Sequence, residues 1–339
     1  MNDRLKFSIG TAMGSADGEF HGPACLAFDH LRGLLFVVDA FNHRVQVFSC
    51  DDGSFVNKFG QRGYDSGHFQ YPFGIAIDHD HDRILVTSTQ HGKVLPWSLR
   101  DYSPCIDEQH SNRFVHKYPQ ALAIDTHHKR IFVADFTKHR VHALSSIDLS
   151  FLFSIGGNEG SRPGEFNYPT GIAIDHDRHR IIVTDTINHR VQVLSLIDGS
   201  FLFEFGSNGN QPCQLFYPQG VCIDNQGRII IADTRNYRLQ SFTHEGHHIS
   251  SFECGTGHPL AVAFDEHRGL IAFTTASQVH VIGANQWLAT FTWRVDRHRH
   301  APSWMKQTVL TMTMIRSMVD DSAMSMTPNE LLFEIFSYL

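Results

Sequence analysis

Two residue sets in this 339-residue chain have the types and spacing to do chemistry. In the first, Tyr71, Tyr118, Tyr168 and Tyr217 each precede a proline, while His43-Arg44, His139-Arg140, His189-Arg190 and Tyr237-Arg238 recur at a second register. Aromatic faces stack bases and arginines hold phosphates, so this set suits single-stranded RNA as well as a protein surface. Phe41, Lys138 and Arg235 lie in the same segments but differ between repeats, and a partner would be selected by such differences. The second set, His79, His81, His127, His128, His176 and His179, offers imidazoles to a metal only where separate turns are brought together.

The elements that position these residues are repeated. One phrase recurs, as in Pro72-Phe73-Gly74-Ile75-Ala76-Ile77-Asp78 and Pro169-Thr170-Gly171-Ile172-Ala173-Ile174-Asp175. Its terminal aspartates, Asp29, Asp78, Asp125, Asp175, Asp224 and Asp265, are 41 to 50 residues apart. Each phrase leads through a polar turn into a β-branched run such as Arg180-Ile181-Ile182-Val183-Thr184-Asp185, which reads as a buried strand. An alternating third strand, Arg190-Val191-Gln192-Val193-Leu194, and a fourth, Ser200 to Gly206, complete the unit. Four strands make one propeller blade, and a lone blade has two apolar faces, so six units must stack into a ring.

The fold class expected is therefore all-β, a six-bladed propeller over residues 1–294 with repeats near 20–60, 69–106, 114–156, 166–206, 216–254 and 258–291. Either Leu5-Lys6-Phe7-Ser8-Ile9-Gly10 or Leu288-Ala289-Thr290-Phe291 closes the last blade. In such a ring the loops leading into first strands and the turns between second and third strands share one face. That face gathers both aromatic and basic rings; the opposite face receives Asp-rich turns such as Asp78-His79-Asp80-His81-Asp82. An Asp or Arg present in every blade serves the blade, by capping a turn or packing its stem.

Composition bounds the partner class. A formal charge of −7 argues against a uniformly basic nucleic-acid binder, although 24 histidines make the surface field sensitive to mild acid. Six scattered cysteines without a CxxC pair read as reduced thiols, and no apolar run is long enough for a membrane span. A cytoplasmic or nuclear setting is expected.

The run Gly164-Glu165-Phe166-Asn167-Tyr168-Pro169 through Asp185-Thr186-Ile187-Asn188-His189-Arg190-Val191-Gln192-Val193 resembles the NHL repeat. Repeat two departs at Ser88-Thr89-Gln90-His91-Gly92-Lys93, and repeat six is worn down to Thr275-Ala276-Ser277-Gln278. No tryptophan is followed by Asp, and Gly156-Gly157 is the only Gly-Gly pair, so neither WD40 nor Kelch repeats fit. The resemblance implies a binding platform, and NHL propellers of the tripartite-motif type take single-stranded RNA on the loop-bearing face. It also brings in enzymes of the same fold, an amidating lyase and lactonase-like hydrolases that use metal in the central channel. First strands here carry mostly Ile, Ala, Gly and Val, without an asymmetric set of His, Asp and Glu. The expectation is a non-enzymatic interaction scaffold without cofactor or metal, with RNA binding as the first alternative and a metal-dependent hydrolase or lyase as the second.

Beyond Trp293 the repeat stops. Residues 295–325 read as a linker with a helix in it, and residues 326–339 as an amphipathic helix opened by the capping box Thr327-Pro328-Asn329-Glu330. Leu331, Leu332, Ile335, Phe336 and Leu339 share one side of it. The phrase resembles the first helix of an F-box, which implies a ubiquitin-ligase adaptor as partner; an ordinary terminal helix fits equally.

Overall fold

A β-branched run that is apolar on both faces needs a neighbour on each side, and the ring provides them. In the fourth blade Ile181, Ile182 and Val183 are fully buried. Their strand, Arg180–Asp185, lies between Pro169–Asp175 and Arg190–Ser195 in antiparallel register, Ile182 facing Val193 and Asp185 facing Arg190. Phe201–Phe205 forms the outer edge. The same four-stranded order recurs in five of six sheets of this computed structural model, which describes residues 5–105, 117–255 and 257–284. Blade two has three strands and an isolated Trp97–Pro104 bridge among the described residues, where four strands were expected. Residues 295–339, where the tail helices were expected, including Leu331, Leu332, Ile335, Phe336 and Leu339, lie outside the described residues.

Inner strands meet inner strands around the ring, from Pro23–Asp29 through Pro72–Asp78, Pro119–Asp125, Pro169–Asp175, Pro218–Ile223 and Val262–Asp265 back to the first. This approach is close enough to require glycine. A Cβ on Gly171 would overlap the Gln219 carbonyl of the next blade, and one on Gly220 would sit 2.6 Å from Ala261 Cα. Thr184 Oγ1 joins the same pair of blades by accepting the Gly171 N–H at 2.7 Å and donating to the Gln219 carbonyl at 2.6 Å. Six apolar clusters fill the ring, and the largest fully buried side chains include Phe20, Phe69 and Phe166 from the loops between blades. Each such ring contributes about 1.5–3 kcal/mol by leaving water.

The open question of closure has an answer. Leu5–Ile9 pairs with Val279–Gly283, Ser8 facing His280 and Ile9 facing Val279, and becomes the fourth strand of blade six. The alternative, Leu288–Phe291, lies outside the described residues. Deleting residues 1–9 removes buried Ile9 and uncovers Val279 and Val281, both fully buried. At about 1.5–3 kcal/mol for each side chain, the melting midpoint should fall by on the order of 10 °C or more. A truncated protein that melts with the full chain would mean that another segment closes the ring.

Candidate active site

On the loop side most of the charge of the basic ring is engaged inside the blades. Arg44, Arg190 and Arg238 are 7%, 6% and 8% exposed. Each donates its Nε–H at 2.8 Å to a buried carboxylate, that of Asp39, Asp185 or Asp233. Their terminal nitrogens bind carbonyls of the preceding loop, as Arg190 does with Ser161, Arg162 and Glu165. A guanidinium held this way has few donors left for a phosphate. Arg140 differs: His142 Nε2 stands 3.5 Å from Asp135, and Arg140 donates instead to the Lys138 and Gly157 carbonyls.

The histidines of this side knit neighbouring blades. His43, His139 and His189 adopt positive φ, and their Nδ1 atoms accept the backbone N–H of Tyr71, Tyr168 and Tyr217 at 3.2, 3.3 and 3.1 Å. Burial pushes His43 and His189 below the ordinary imidazole pKa, consistent with neutral rings that accept. Between blades five and six the pair is exchanged, with Tyr237 against His258 at 4.2 Å between ring centres. Phe41, Tyr118, Tyr237, Lys138 and Arg235 remain exposed on this face.

The opposite, turn-bearing side holds the ionisable groups that vary. The aspartates ending the inner strands, Asp29, Asp78, Asp125, Asp175, Asp224 and Asp265, are all buried, and each has an arginine within salt-bridge distance. They also accept turn N–H groups, as Asp224 does from Gln226 and Arg228. The next residue changes around the ring: His30, His79 and His176 in three blades, and Thr126, Asn225 and Glu266 in the others. Here the ring brings together residues from distant parts of the chain. His30 stacks on His267 at 4.6 Å and meets His79 edge-on at 5.1 Å, while His127 meets His176 at 4.8 Å.

Two cavities follow from this arrangement. A channel of about 350 Å³ runs between the inner strands, lined by residues such as Ala76, Ala121, Gly171 and Val221, with His30 and His79 at its turn-side end. A mouth pocket, also about 350 Å³, is bordered by His30, His176, Asn225 and Glu266. The channel walls do not suit a metal, since their remaining donors are the thiols of Cys25 and Cys222, which burial pushes up and keeps protonated. Donor groups collect at the mouth instead.

Of the six histidines read from sequence, His81 and His128 are each held by their own turn, Nδ1 at 2.9 Å from Asp78 and Asp125 respectively. His79 and His176 stand at the ring position. His79 Nε2 lies 3.6 Å from Asp29 of the preceding blade, and His176 Nδ1 lies 3.9 Å from Asp125 of the preceding blade. Both nitrogens are buried without a hydrogen-bond partner. Burial, then neighbouring His127, pushes His176 below 6.5. Burial opposes ionisation of Asp125, but bonds from Arg130 and His128 hold it below the usual carboxylate range. A neutral imidazole thus stands 3.9 Å from a carboxylate held ionised by Arg130, outside hydrogen-bond range but close enough for the charge to favour an imidazolium. His30, Asn225, Glu266 and His267 escaped the sequence reading; aligning the six turns one residue beyond each Asp would have found the first three.

Residues 28–122 match a family described as 6-bladed beta-propeller, and residues 166–194 and 217–242 match the NHL repeat. No curated protein matches in sequence. Among solved structures, a gluconolactonase from Xanthomonas campestris is similar, with a TM-score of 0.61 and 14% identity over 82% of this chain and 96% of that one. Identity that low is a likeness of fold, and a fold matched by 1512 solved chains does not carry one activity. The expectation of a non-enzymatic scaffold is nevertheless corrected: the similar structure is an enzyme, and the asymmetric set sought on the channel strands is present one residue beyond them. No helix among the described residues is long and apolar enough to cross a membrane. By repeat and by architecture, the chain is a six-bladed β-propeller carrying NHL repeats.

Proposed function

We propose that the chain is a hydrolase that opens a small lactone or related ester in the turn-side mouth pocket. The observation that carries this reading is His176, on the pocket wall with Nδ1 buried beside Asp125 and no hydrogen-bond partner. Neutral His176 takes a proton from water as the water oxygen attacks the carbonyl carbon. Ionised Asp125 stabilises the imidazolium that forms, and the Asn225 amide, bordering the same pocket, donates to the developing oxyanion. Collapse of the tetrahedral intermediate breaks the ring C–O bond, and the imidazolium returns its proton to the leaving alkoxide, giving a hydroxy acid. The similar gluconolactonase supports a sugar lactone as the first substrate to try.

The test is a pH-stat assay on glucono-lactone and simple esters, with the protein-free rate subtracted. The active form of His176 is neutral, and its pKa lies below 6.5. Activity should therefore rise with pH through the acid range and level off before neutrality. A profile that is flat or falls over that range, or a panel without turnover, would remove His176 from the reaction.

A further inference from the structure

We propose that His30, Glu266 and His267 bind one divalent ion of the zinc class, and that this ion fastens blade six to blade one. The donor atoms of these three residues all lie within 4.8 Å of one another. A tetrahedral zinc site with bonds of about 2.0–2.2 Å places its donors roughly 3.4 Å apart, so small side-chain rotations close the set. Glu266 and His267 are exposed and His30 is half-buried, which leaves those rotations free. Two imidazoles and one carboxylate suit zinc and its neighbours, whereas calcium and magnesium want more oxygen donors. Water completes the shell. The adjacent Arg268 does not stand as a bare opposing charge, because Asp265 at 3.5 Å and Asp51 at 3.6 Å compensate it.

The position gives the site its consequence. His30 follows the inner strand of blade one, and Glu266-His267 follows that of blade six. This is the seam at which Leu5–Ile9 closes the ring, and Arg268 already reaches across it to the His30 carbonyl at 3.5 Å. An ion held from both sides binds the closed ring better than the open one, so binding raises stability in proportion to free metal.

Isothermal titration and thermal melting of the full-length protein with zinc test this without reference to turnover. Failure here therefore leaves the hydrolase reading standing, and loss of the hydrolase reading leaves this site standing. The expected result is one tight equivalent and a midpoint that rises with zinc, with magnesium and calcium inert. His267→Ala should weaken binding by at least about 100-fold, more than loss of an outer-shell partner, and Glu266→Gln by at least about tenfold. His247→Ala, removing an exposed histidine near Glu245 in another turn, should change nothing. Several weak equivalents that persist in His267→Ala, or no binding, would overturn the site. One tight equivalent without a rise in midpoint would overturn its role at the seam.

Discussion

Arg190→Ala should lower the free energy of unfolding by about 3–5 kcal/mol, the scale for stranding a buried charge. Asp185 is fully buried and accepts from Arg190 Nε, Asn188 Nδ2, Gln192 Nε2 and the Asn167 backbone N–H. The arginine is its only cationic partner in that set, and it also satisfies three loop carbonyls that lead into Phe166. Removing it leaves a carboxylate without compensation and frees the loop whose phenylalanine fills the core. Arg140→Ala provides the contrast, because among the described residues that side chain bonds carbonyls near the surface rather than a buried carboxylate, and it should cost about 1 kcal/mol or less. Urea denaturation of both variants measures the difference. Equal losses would mean that the repeated arginines act through packing alone.

The second large effect is on catalysis. His176→Gln keeps an amide of similar reach but cannot take up a proton at neutral pH, so kcat should fall about 10²–10⁴-fold. KM should stay within roughly threefold, since the loss falls on the transition state. The side chain is half-buried and makes no hydrogen bond through Nδ1, so the melting midpoint should remain close to that of the parent. Arg235→Ala, on the loop side, should leave kcat and KM unchanged. A fall in rate that follows a fall in stability would assign His176 a structural role.

The ring was legible because each blade states its own strands. Runs such as Ile181-Ile182-Val183 specify a buried strand without knowledge of the rest, and six returns of the same phrase count the blades. Blade two was less complete because Ser88 stands where blades one, three, four and five place Asp, and residues 106–116 lie outside the described residues. Arg44, Arg190 and Arg238 could be located from sequence, but not the carboxylates and carbonyls that engage them. The mouth was hidden for a different reason. His30 and Glu266 are at opposite ends of the propeller sequence, and only circular closure puts them beside one pocket. Repetition also draws the eye to what is shared, whereas the groups with free chemistry are those that replace one another after each turn aspartate.

The most direct measurement is a crystal structure of the protein with a lactam analogue of the lactone, a ring amide that resists opening. The analogue should occupy the turn-side mouth, its carbonyl carbon near His176 and its carbonyl oxygen within hydrogen-bonding reach of Asn225. Density instead among Phe41, Tyr118 and Tyr237 on the loop side would contradict the account.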